Sequence, residues 1–330
     1  MSARGNVIVT GGAGYIGAHA CKALRSAGYA PVTYDNLSRG HKEAVKWGPL
    51  EFGDIVDINR LTHVLTEYEP VAVMHFAALA YVAESVVEPQ TYYQNNFYGS
   101  LCLLESMRNA DVRKIIFSST CATYGLPMKV PIAENQAQQP INPYGRTKFA
   151  VERMIEDYVT AFDFQHTTFR YFNAAGADID LDVGEMHFPE PHLIPNALNA
   201  ASKGGQPLQV FGCDYPTADG TCIRDFVHVS DIADAHVLGL LQLTETPKSA
   251  YYNLGNDKGH SVLEVIAAVE QVTGRQLRVE KLPNRPGDAP ILVADSTLVR
   301  EELAWSPRYP DLSQMVATAW EWHKKTSHLS

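Results

Sequence analysis

The sequence predicts an α/β protein in which a doubly wound parallel sheet carries a smaller α/β lobe toward the C-terminal end. Short apolar, β-branched runs alternate with helix-compatible stretches from residue 7 to about residue 169, the pattern of parallel strands covered by helices on both faces. The first run breaks into glycines and resumes as an apolar, helix-compatible segment. This strand, glycine turn and helix are typical of a Rossmann-type fold.

The elements follow one another in order along the chain. Strands are predicted over residues 7–10, 31–34, 50–52, 71–75, 114–118 and 166–170. Helices are predicted over residues 15–27, 59–68, 94–109 and 144–161. After Tyr171, the loop-forming residues Pro, Gly and Asp become frequent, which indicates that the regular alternation of strands and helices ends there. We therefore expect a Rossmann domain over 1–173, joined by about 224–254, and a substrate lobe over 174–223 and 255–330.

Composition excludes several classes of partner. The 330 residues carry a net charge of -10, from 27 basic and 37 acidic residues, which argues against nucleic acid and anionic membranes. No apolar run approaches the roughly 20 residues of a spanning helix, and no signal peptide is recognised before Val7. We expect a cytoplasmic protein with reduced thiols and no metal, since the cysteines lack ligand spacing: Cys21, Cys102, Cys121, Cys213 and Cys222.

The glycine turn after the first strand predicts a pyrophosphate site, because glycines let backbone N–H groups approach an anion at a helix N-terminus. An ordinary turn is the alternative. Two registers fit the sequence. G-x-G-x-x-G over 12–17 is typical of two-domain dehydrogenases, whereas Gly11, Gly14 and Gly17 give the G-x-x-G-x-x-G of short-chain dehydrogenases. The residues alone leave both open.

Carboxylates after the second and third strands point to an adenosine. Asp35 can accept hydrogen bonds from the ribose and repel a 2′-phosphate, which favours NAD over NADP, although a turn aspartate is the alternative. Arg39 opposes this preference, because an arginine here can pair with a 2′-phosphate. Asp54 can meet the adenine amino group, and the small residues after the fourth strand, Ala77 and Ala78, let the backbone approach the phosphates.

The predicted chemical centre combines Thr120 with Tyr144 and Lys148. Residues four apart share a helix face, so Tyr144 and Lys148 can address one ligand together. A free tyrosine has a pKa of about 10, and a nearby ammonium, aided by a positive nicotinamide ring, lowers that pKa toward neutrality. The phenolate can then take an alcohol proton as hydride leaves the same carbon, with Thr120 holding the alcohol. An exposed Tyr/Lys pair on a helix surface is the alternative.

Motifs along nearly the whole chain resemble those of the extended short-chain dehydrogenase/reductase family, and within it the UDP-sugar 4-epimerases. The matching stretches are TGGAGYIG (10–17), YDNL (34–37), GDI (53–55), HFAA (75–78), YYQNN (92–96), PYGRTK (143–148), RYFN (170–173), FGCDYPTADGT (211–221), RDFVHV (224–229), YNLG (252–255) and RPGD (285–288). The first half is shared by the whole superfamily. The run over 211–221 joined to RDF is far more specific to 4-epimerases.

The resemblance assigns roles residue by residue. It selects the register of Gly11, Gly14 and Gly17, and it implies that Tyr144 is the base and Lys148 its modulator. The residues it implies for NAD are Gly11, Gly14, Tyr15, Ile16, Gly17, Asp35, Asn36, Asp54, Ile55, Phe76, Ala77, Ala78, Asn95, Ser118, Tyr144, Lys148 and Tyr171. Those implied for the UDP-sugar are Thr120, Tyr144, Asn173, His192, Leu193, Arg224, Phe226, Arg285 and Asp288. For Arg224 and Arg285, the alternative to substrate binding is a surface ion pair. For Phe226, the alternative is a position in the hydrophobic core.

The activity implied is reversible 4-epimerisation of UDP-galactose and UDP-glucose. Hydride leaves sugar C4, the 4-keto sugar turns over, and hydride returns to its other face while NAD stays bound. The sequence Cys121-Ala122-Thr123 lacks the acidic residues of dehydratases, which counts against elimination. Alternatives are a 4-epimerase for UDP-N-acetylhexosamine or UDP-pentose and a non-catalytic nucleotide-sensing protein. The resemblance also implies a homodimer through helices at 94–109 and 149–161.

The chain departs from the family pattern at three positions. Ala80 replaces a lysine that usually contacts the pyrophosphate, so NAD retention is expected to be weaker. Tyr98 stands where a small polar residue is common. Leu292 occupies the position whose bulk gates N-acetyl groups, and its intermediate size neither excludes nor implies acetylated substrates.

Overall fold

The computed structural model describes residues 4–285 and 288–326. Its strands are β1 (Asn6–Thr10), β2 (Ala30–Asp35), β3 (Leu50–Phe52), β4 (Ala72–His75), β5 (Lys114–Thr120), β6 (Gln165–Tyr171), β7 (Asn173–Ala175), β8 (Leu208–Phe211), β9 (Ile223–His228), β10 (Ala250–Leu254), β11 (Gly259–Ser261), β12 (Val279–Leu282) and β13 (Ile291–Leu292). Its α-helices are α1 (Tyr15–Ser26), α2 (Ile58–Tyr68), α3 (Val82–Val87), α4 (Pro89–Tyr92), α5 (Gly99–Asn109), α6 (Pro143–Phe162), α7 (Leu193–Ala201), α8 (Val229–Glu245), α9 (Val262–Thr273), α10 (Thr297–Leu303) and α11 (Leu312–Thr326).

A seven-stranded parallel sheet in the order β10-β6-β5-β4-β1-β2-β3 confirms the predicted fold class. Alternate residues of β1 face opposite sides of it: Val7 and Val9 pack with α1 and α8, whereas Ile8 packs with α2, α5 and α6. The chain runs outward from β1 to β3 and then resumes at β4, on the other side of β1. The carboxyl ends of β1 and β4 therefore form the switch point where such sheets bind ligands.

The smaller lobe contains a four-stranded sheet with β9 at its centre and a β8–β12 pair. Its core packs α7, α9 and α11 against these strands. β9 therefore lies outside the large sheet, although the predicted 224–254 segment places it in the first domain. In the same segment, β10 is an edge strand of the seven-stranded sheet and α8 packs on that sheet.

Two further details differ from the predicted elements. α10, within the 255–330 stretch expected in the smaller lobe, packs on the core of the large sheet through Val299 and Leu303. The predicted helix over 94–109 begins as a π-helical segment, Tyr93–Tyr98, before α5. Within the described residues, no helix combines the length and apolar composition needed to cross a membrane. The five cysteines are all free thiols.

Candidate active site

The turn between β1 and α1 forms a tight backbone cradle. Gly11 has a φ of 73°, and a Cβ added to it would lie 2.6 Å from the backbone nitrogen of Ala77. A Cβ at Gly17 would lie 2.2 Å from the Gly11 carbonyl oxygen. The Gly14 N–H donates to that same oxygen at 3.1 Å, directly before α1 begins at Tyr15. The cradle thus requires glycine at Gly11 and Gly17, and it directs a positive helix end at its ligand.

Asp35 lies at the end of β2 beside this cradle. Its Oδ2 accepts from the Ala13 N–H at 3.0 Å and its Oδ1 from the Leu37 N–H at 2.8 Å. Burial raises the pKa of this carboxyl, and both backbone hydrogen bonds oppose the shift. The Asn36 amide donates to Asp54 Oδ2 at 2.8 Å, so the Asp54 carboxylate is held against the residue that follows Asp35. Asp35 also stabilises the turn after β2 through the Leu37 N–H, which is the role that the turn-aspartate alternative gave it.

Arg39 is already engaged within the chain. Its Nη2 donates to Glu84 Oε1 at 2.7 Å, and its guanidinium lies 4.9 Å from the centre of the Tyr81 ring. An arginine paired in this way is a poorer partner for a 2′-phosphate, which supports the preference for NAD over NADP.

The remaining residues expected at the cofactor line the ends of β4 and the π-helical segment. The N–H groups of Phe76 and Ala77 both donate to the Thr10 carbonyl, at 2.9 and 3.0 Å. Asn95 donates to the buried Asn96 side chain at 2.9 Å. Asn96 in turn accepts from the Leu79 N–H at 2.8 Å and so holds the chain that follows Ala78. Asn96 was not singled out from the sequence; its burial becomes visible only in the fold.

Thr120, Tyr144 and Lys148 meet where β5 ends and α6 begins. Asn142 caps α6 by accepting from the Gly145 N–H at 2.8 Å, and this fixes Tyr144 in the first turn. Lys148 lies one turn further on and is 3% exposed, with its Nζ donating to the Ser118 carbonyl at 2.7 Å. The Tyr144 and Lys148 side chains are both buried, so the exposed-pair alternative for them is wrong.

In the protein without a dinucleotide, the pKa of Tyr144 is shifted in the direction opposite to the one that the sequence predicted. Burial raises the pKa of Tyr144 well above its usual value, and a hydrogen bond with the Thr120 side chain opposes this shift. Burial also lowers the pKa of Lys148 to about 7, while the negative charge of Glu152 opposes it. Both groups are thus held toward their neutral forms. The lowered tyrosine pKa was predicted with a positive nicotinamide ring, and the protein's own groups do not produce it.

Two hydroxyl groups, those of Ser118 and Tyr171, lie next to Lys148 in the same site. The side chains of Ser118 and Tyr171 hydrogen-bond to each other across β5 and β6, and burial raises the pKa of Tyr171 to about 12. The Tyr92 ring meets that of Tyr144 edge-on, with 6.5 Å between their centres. The sequence did not predict that Tyr92 contacts Tyr144, because the two residues lie on separate helices.

The residues expected at the UDP-sugar are spread over the smaller lobe. Arg224 on β9 pairs with Asp288 at 3.6 Å, and its positive charge opposes the burial that raises the pKa of Cys121 to about 12. Arg224 therefore lies near the end of β5, where Thr120 is. The Arg285 guanidinium lies 3.7 Å from the centre of the Phe211 ring. Pro286 and Gly287 of the RPGD motif lie outside the described residues.

Four other expected substrate residues have defined places. Asn173 on β7 pairs in register with Phe226 on β9. Phe226 is 5% exposed within the core of the smaller lobe, as its alternative interpretation held. His192 precedes α7, whose first residue is Leu193. Although burial lowers it, the nearby Glu185 carboxylate raises the pKa of His192 to about 10.

The glycine cradle, the carboxylates after β2 and β3 and the buried Tyr-x-x-x-Lys pair define the class of this protein. It is a dinucleotide-binding protein of the short-chain dehydrogenase type. The cradle fits a pyrophosphate because any side chain at Gly11 or Gly17 would fill it. Residues 7–255 match the model of the NAD dependent epimerase/dehydratase family, and the chain belongs to that family.

Known relatives agree over nearly the full length. A UDP-glucose 4-epimerase from Rhizobium leguminosarum bv. trifolii is 49% identical over 97% of this chain and 98% of its own. The structure of a UDP-glucose 4-epimerase from Brucella ovis in complex with NAD is 50% identical, with a TM-score of 0.94 over 96% of this chain and 98% of its own. A Stenotrophomonas maltophila UDP-glucose 4-epimerase with bound NAD and formylated UDP-arabinopyranose is 39% identical, with a TM-score of 0.95 over 99% of this chain and 100% of its own.

Proposed function

We propose that this protein is a UDP-glucose 4-epimerase that interconverts UDP-galactose and UDP-glucose through a 4-keto sugar. The convergence of Thr120, Tyr144 and Lys148 at the end of β5 carries the proposal. Their burial beside the glycine cradle suits alcohol oxidation at a bound dinucleotide. NAD, held by the cradle and the Asp35 and Asp54 carboxylates, supplies the acceptor and donor of the C4 hydride when bound.

The protein's own residues move and hold the proton. Tyr144 takes the C4 hydroxyl proton in oxidation and returns it in reduction. Thr120 hydrogen-bonds to the phenol and holds the sugar hydroxyl beside it. Lys148 would hold the cofactor ribose through its buried amino group, and in its protonated form it stabilises the Tyr144 phenolate. Ser118 and Tyr171, joined by a hydrogen bond, close the same wall of the site.

The UDP end is clamped more firmly than the sugar, so that the keto intermediate can turn over. Arg224 and Arg285 are forked donors suited to a diphosphate. Asn173, His192 and Leu193 flank the same nucleotide from β7 and the start of α7, and Asp288 lies toward the uridine, whereas Phe226 belongs to the core of the smaller lobe behind them. The pairing of Arg224 with the Asp288 carboxylate supports this arrangement, since a diphosphate can replace that carboxylate.

A different UDP-sugar is the second candidate substrate. Leu292 pairs in register with Arg224 and packs against the cluster that contains Cys121, next to Thr120. This position suits a residue that limits the size of the sugar. The formylated UDP-arabinopyranose bound to the Stenotrophomonas maltophila relative favours a pentose-type sugar among the alternatives. A Leu292→Tyr variant tested on a panel of UDP-sugars distinguishes these substrates.

The proposal is tested with protein purified without added NAD. UDP-galactose is supplied and the formation of UDP-glucose is followed by chromatography. We expect turnover in the wild type and a loss of roughly 10²-fold or more in Tyr144→Phe. The control Tyr98→Phe removes one hydroxyl group outside the candidate active site, from a side chain that is 44% exposed in the single chain, and it keeps full activity. Nucleotide binding without turnover in the wild type would instead favour the non-catalytic alternative.

We further propose a cytoplasmic homodimer. Free thiols in all five cysteines suit a reducing compartment. Tyr93 and Tyr98 on the helical stretch 93–109 and Phe162 at the end of α6 are 43, 44 and 40% exposed, and a partner's matching helices would cover them. Sedimentation equilibrium gives the mass, and a monomer at micromolar concentration would contradict the dimer.

A further inference from the structure

Four side chains of one irregular segment converge on a single point in the smaller lobe. They belong to Glu185, His187, Glu190 and His192, and one oxygen or nitrogen atom of each lies within 4.8 Å of all the others. The segment precedes α7 and contains neither helix nor strand. The four residues are called the Glu–His cluster below.

Two of the separations in the Glu–His cluster, both at Glu190, are close to those between ligands of one small cation, and the two at Glu185 are ion-pair contacts that would lengthen when an ion replaces the protons. Glu185 Oε1 lies 2.5 Å from His192 Nδ1 and 3.0 Å from His187 Nδ1. Glu190 Oε1 lies 3.3 Å from His192 Nδ1, and Glu190 Oε2 lies 3.8 Å from His187 Nδ1. Ligand atoms around a tetrahedral Zn²⁺ with bonds of about 2.0–2.1 Å are about 3.3 Å apart.

We propose that the Glu–His cluster is a structural binding site for one divalent transition-metal ion, best matched by Zn²⁺. Two imidazole nitrogens and two carboxylate oxygens are a borderline donor set that suits zinc. Magnesium and calcium prefer all-oxygen sites and fit this set poorly. Two carboxylates and two neutral imidazoles also balance the double charge of the ion.

Neighbouring charges distinguish this cluster from the other acidic group nearby. The carboxylates of Asp178, Asp180 and Asp182 already surround Lys22 Nζ, at 2.6, 2.8 and 2.9 Å. In the part of the chain that is described, the ion-pair partners of Glu185 and Glu190 are the two imidazoles. A metal ion in the Glu–His cluster therefore displaces protons and no lysine or arginine.

The backbone around the cluster is held by further hydrogen bonds, as metal ligands require. The Trp322 indole donates to the Glu185 carbonyl at 3.1 Å, and the Asn196 amide donates to the Glu190 carbonyl at 3.0 Å. The side chains of Glu185 and Glu190 are 8 and 12% exposed, whereas that of His192 is 40% exposed. The carboxylates are thus fixed inside, and the ion can enter on the side of His192.

The position of the cluster indicates that a bound ion would hold its segment against the first domain. The His187 ring meets the rings of Tyr15 and Tyr81 edge-on, with centres 6.3 and 5.6 Å apart. Tyr15 begins α1 directly after the glycine cradle. A bound ion would therefore fasten the segment across the cradle. It uses Nδ1 of His192, which leaves Nε2 of that ring for the nucleotide contact proposed above.

Metal content of the full-length protein, purified without a polyhistidine tag and with its dinucleotide in place, tests this site. After incubation with equimolar ZnCl₂ and dialysis, we expect one zinc per chain by mass spectrometry. Glu185→Gln and His187→Gln should each lower zinc affinity roughly 100-fold or more. The matched control is His63→Gln, which alters an exposed histidine 3.5 Å from Glu67 on α2 and keeps the zinc.

A second readout does not depend on the variants folding. Co²⁺ added to the wild type should give the visible absorption of a tetrahedral site, and equimolar Zn²⁺ should abolish it. Wild type that binds no zinc, or variants that are folded by circular dichroism and keep one zinc per chain, would overturn the proposal. Co²⁺ spectra typical of octahedral coordination would overturn it equally, because they indicate ions bound loosely by water and surface carboxylates.

Discussion

Replacing Lys148 with methionine is expected to stabilise the dinucleotide-free protein at neutral pH while it abolishes activity. The Lys148 side chain is 3% exposed, and its Nζ donates to the Ser118 carbonyl. Burial lowers its pKa from 10.5 to about 7. Methionine has a similar length and carries no charge, so it removes the cost of burying an ammonium.

The sign and size of the effect follow from proton linkage. The folded protein binds this proton more weakly than the unfolded chain, so the charged lysine destabilises the fold. The penalty is fully present below pH 7, decreases as the pH rises, and disappears above about 10.5. The lowered pKa corresponds to a cost of about 5 kcal/mol. The lost hydrogen bond to Ser118 subtracts about 1 kcal/mol.

Urea denaturation of the dinucleotide-free proteins at pH 6 and pH 10 measures this difference. We expect Lys148→Met to exceed the wild type by a few kcal/mol at the lower pH and to approach it at the higher. Lys203→Met, at an exposed position, should show no such pH dependence. A stability difference between Lys148→Met and wild type that does not change with pH would refute the reasoning.

Three other substitutions probe the cradle, the core and cofactor retention. Gly17→Ala places a Cβ 2.2 Å from the Gly11 carbonyl and should abolish co-purification of the dinucleotide, measured by absorbance after denaturation. Glu152→Gln leaves the Arg170 guanidinium, paired at 2.7 Å and 3% exposed, without its anion, and should lower the free energy of unfolding by about 3–5 kcal/mol in urea. Ala80→Lys should slow dinucleotide release on dilution roughly tenfold, which corresponds to about 1.4 kcal/mol.

Each of these variants has a neighbouring control. Gly14→Ala brings a Cβ only to 3.3 Å from the same carbonyl and should retain more dinucleotide than Gly17→Ala. Glu156→Gln, on the same helix as Glu152, alters a pair in which the carboxylate is 38% exposed, and its cost should stay below about 1 kcal/mol. Val82→Lys adds the same charge at another exposed position, 42% exposed, and should leave the release rate unchanged. Equal effects in a variant and its control would contradict the corresponding prediction.

The local sequence pattern predicts the large sheet well because its strands are buried on both faces. Continuous apolar runs such as 7–10 and 114–118 correspond to β1 and β5 within two residues at each end. The glycine spacing and the four-residue interval between Tyr144 and Lys148 are equally local, so the cradle and the α6 site were recognisable. The smaller lobe was less predictable because its short strands, such as β7 and β13, depend on partners distant in sequence.

Properties set by three-dimensional packing were not predictable in the same way. The burial that reverses the expected tyrosine pKa comes from groups on several elements, and α10 joins the large sheet through two apolar side chains in a short helix. The Glu–His cluster was missed because its residues lie in an irregular segment without a periodic pattern. The expectation of no metal rested on cysteine spacing, which carries no information on glutamate and histidine ligands.

Direct transfer of hydrogen at C4 is the central claim, and UDP-galactose labelled with deuterium at C4 tests it most directly. The protein is used without added NAD in ordinary water, and the UDP-glucose formed is examined by NMR. We predict that the deuterium remains at C4 of the product, because the same hydrogen leaves and returns within one closed site. Loss of the label to solvent would contradict the account, since it would mean that C4 is deprotonated and not oxidised.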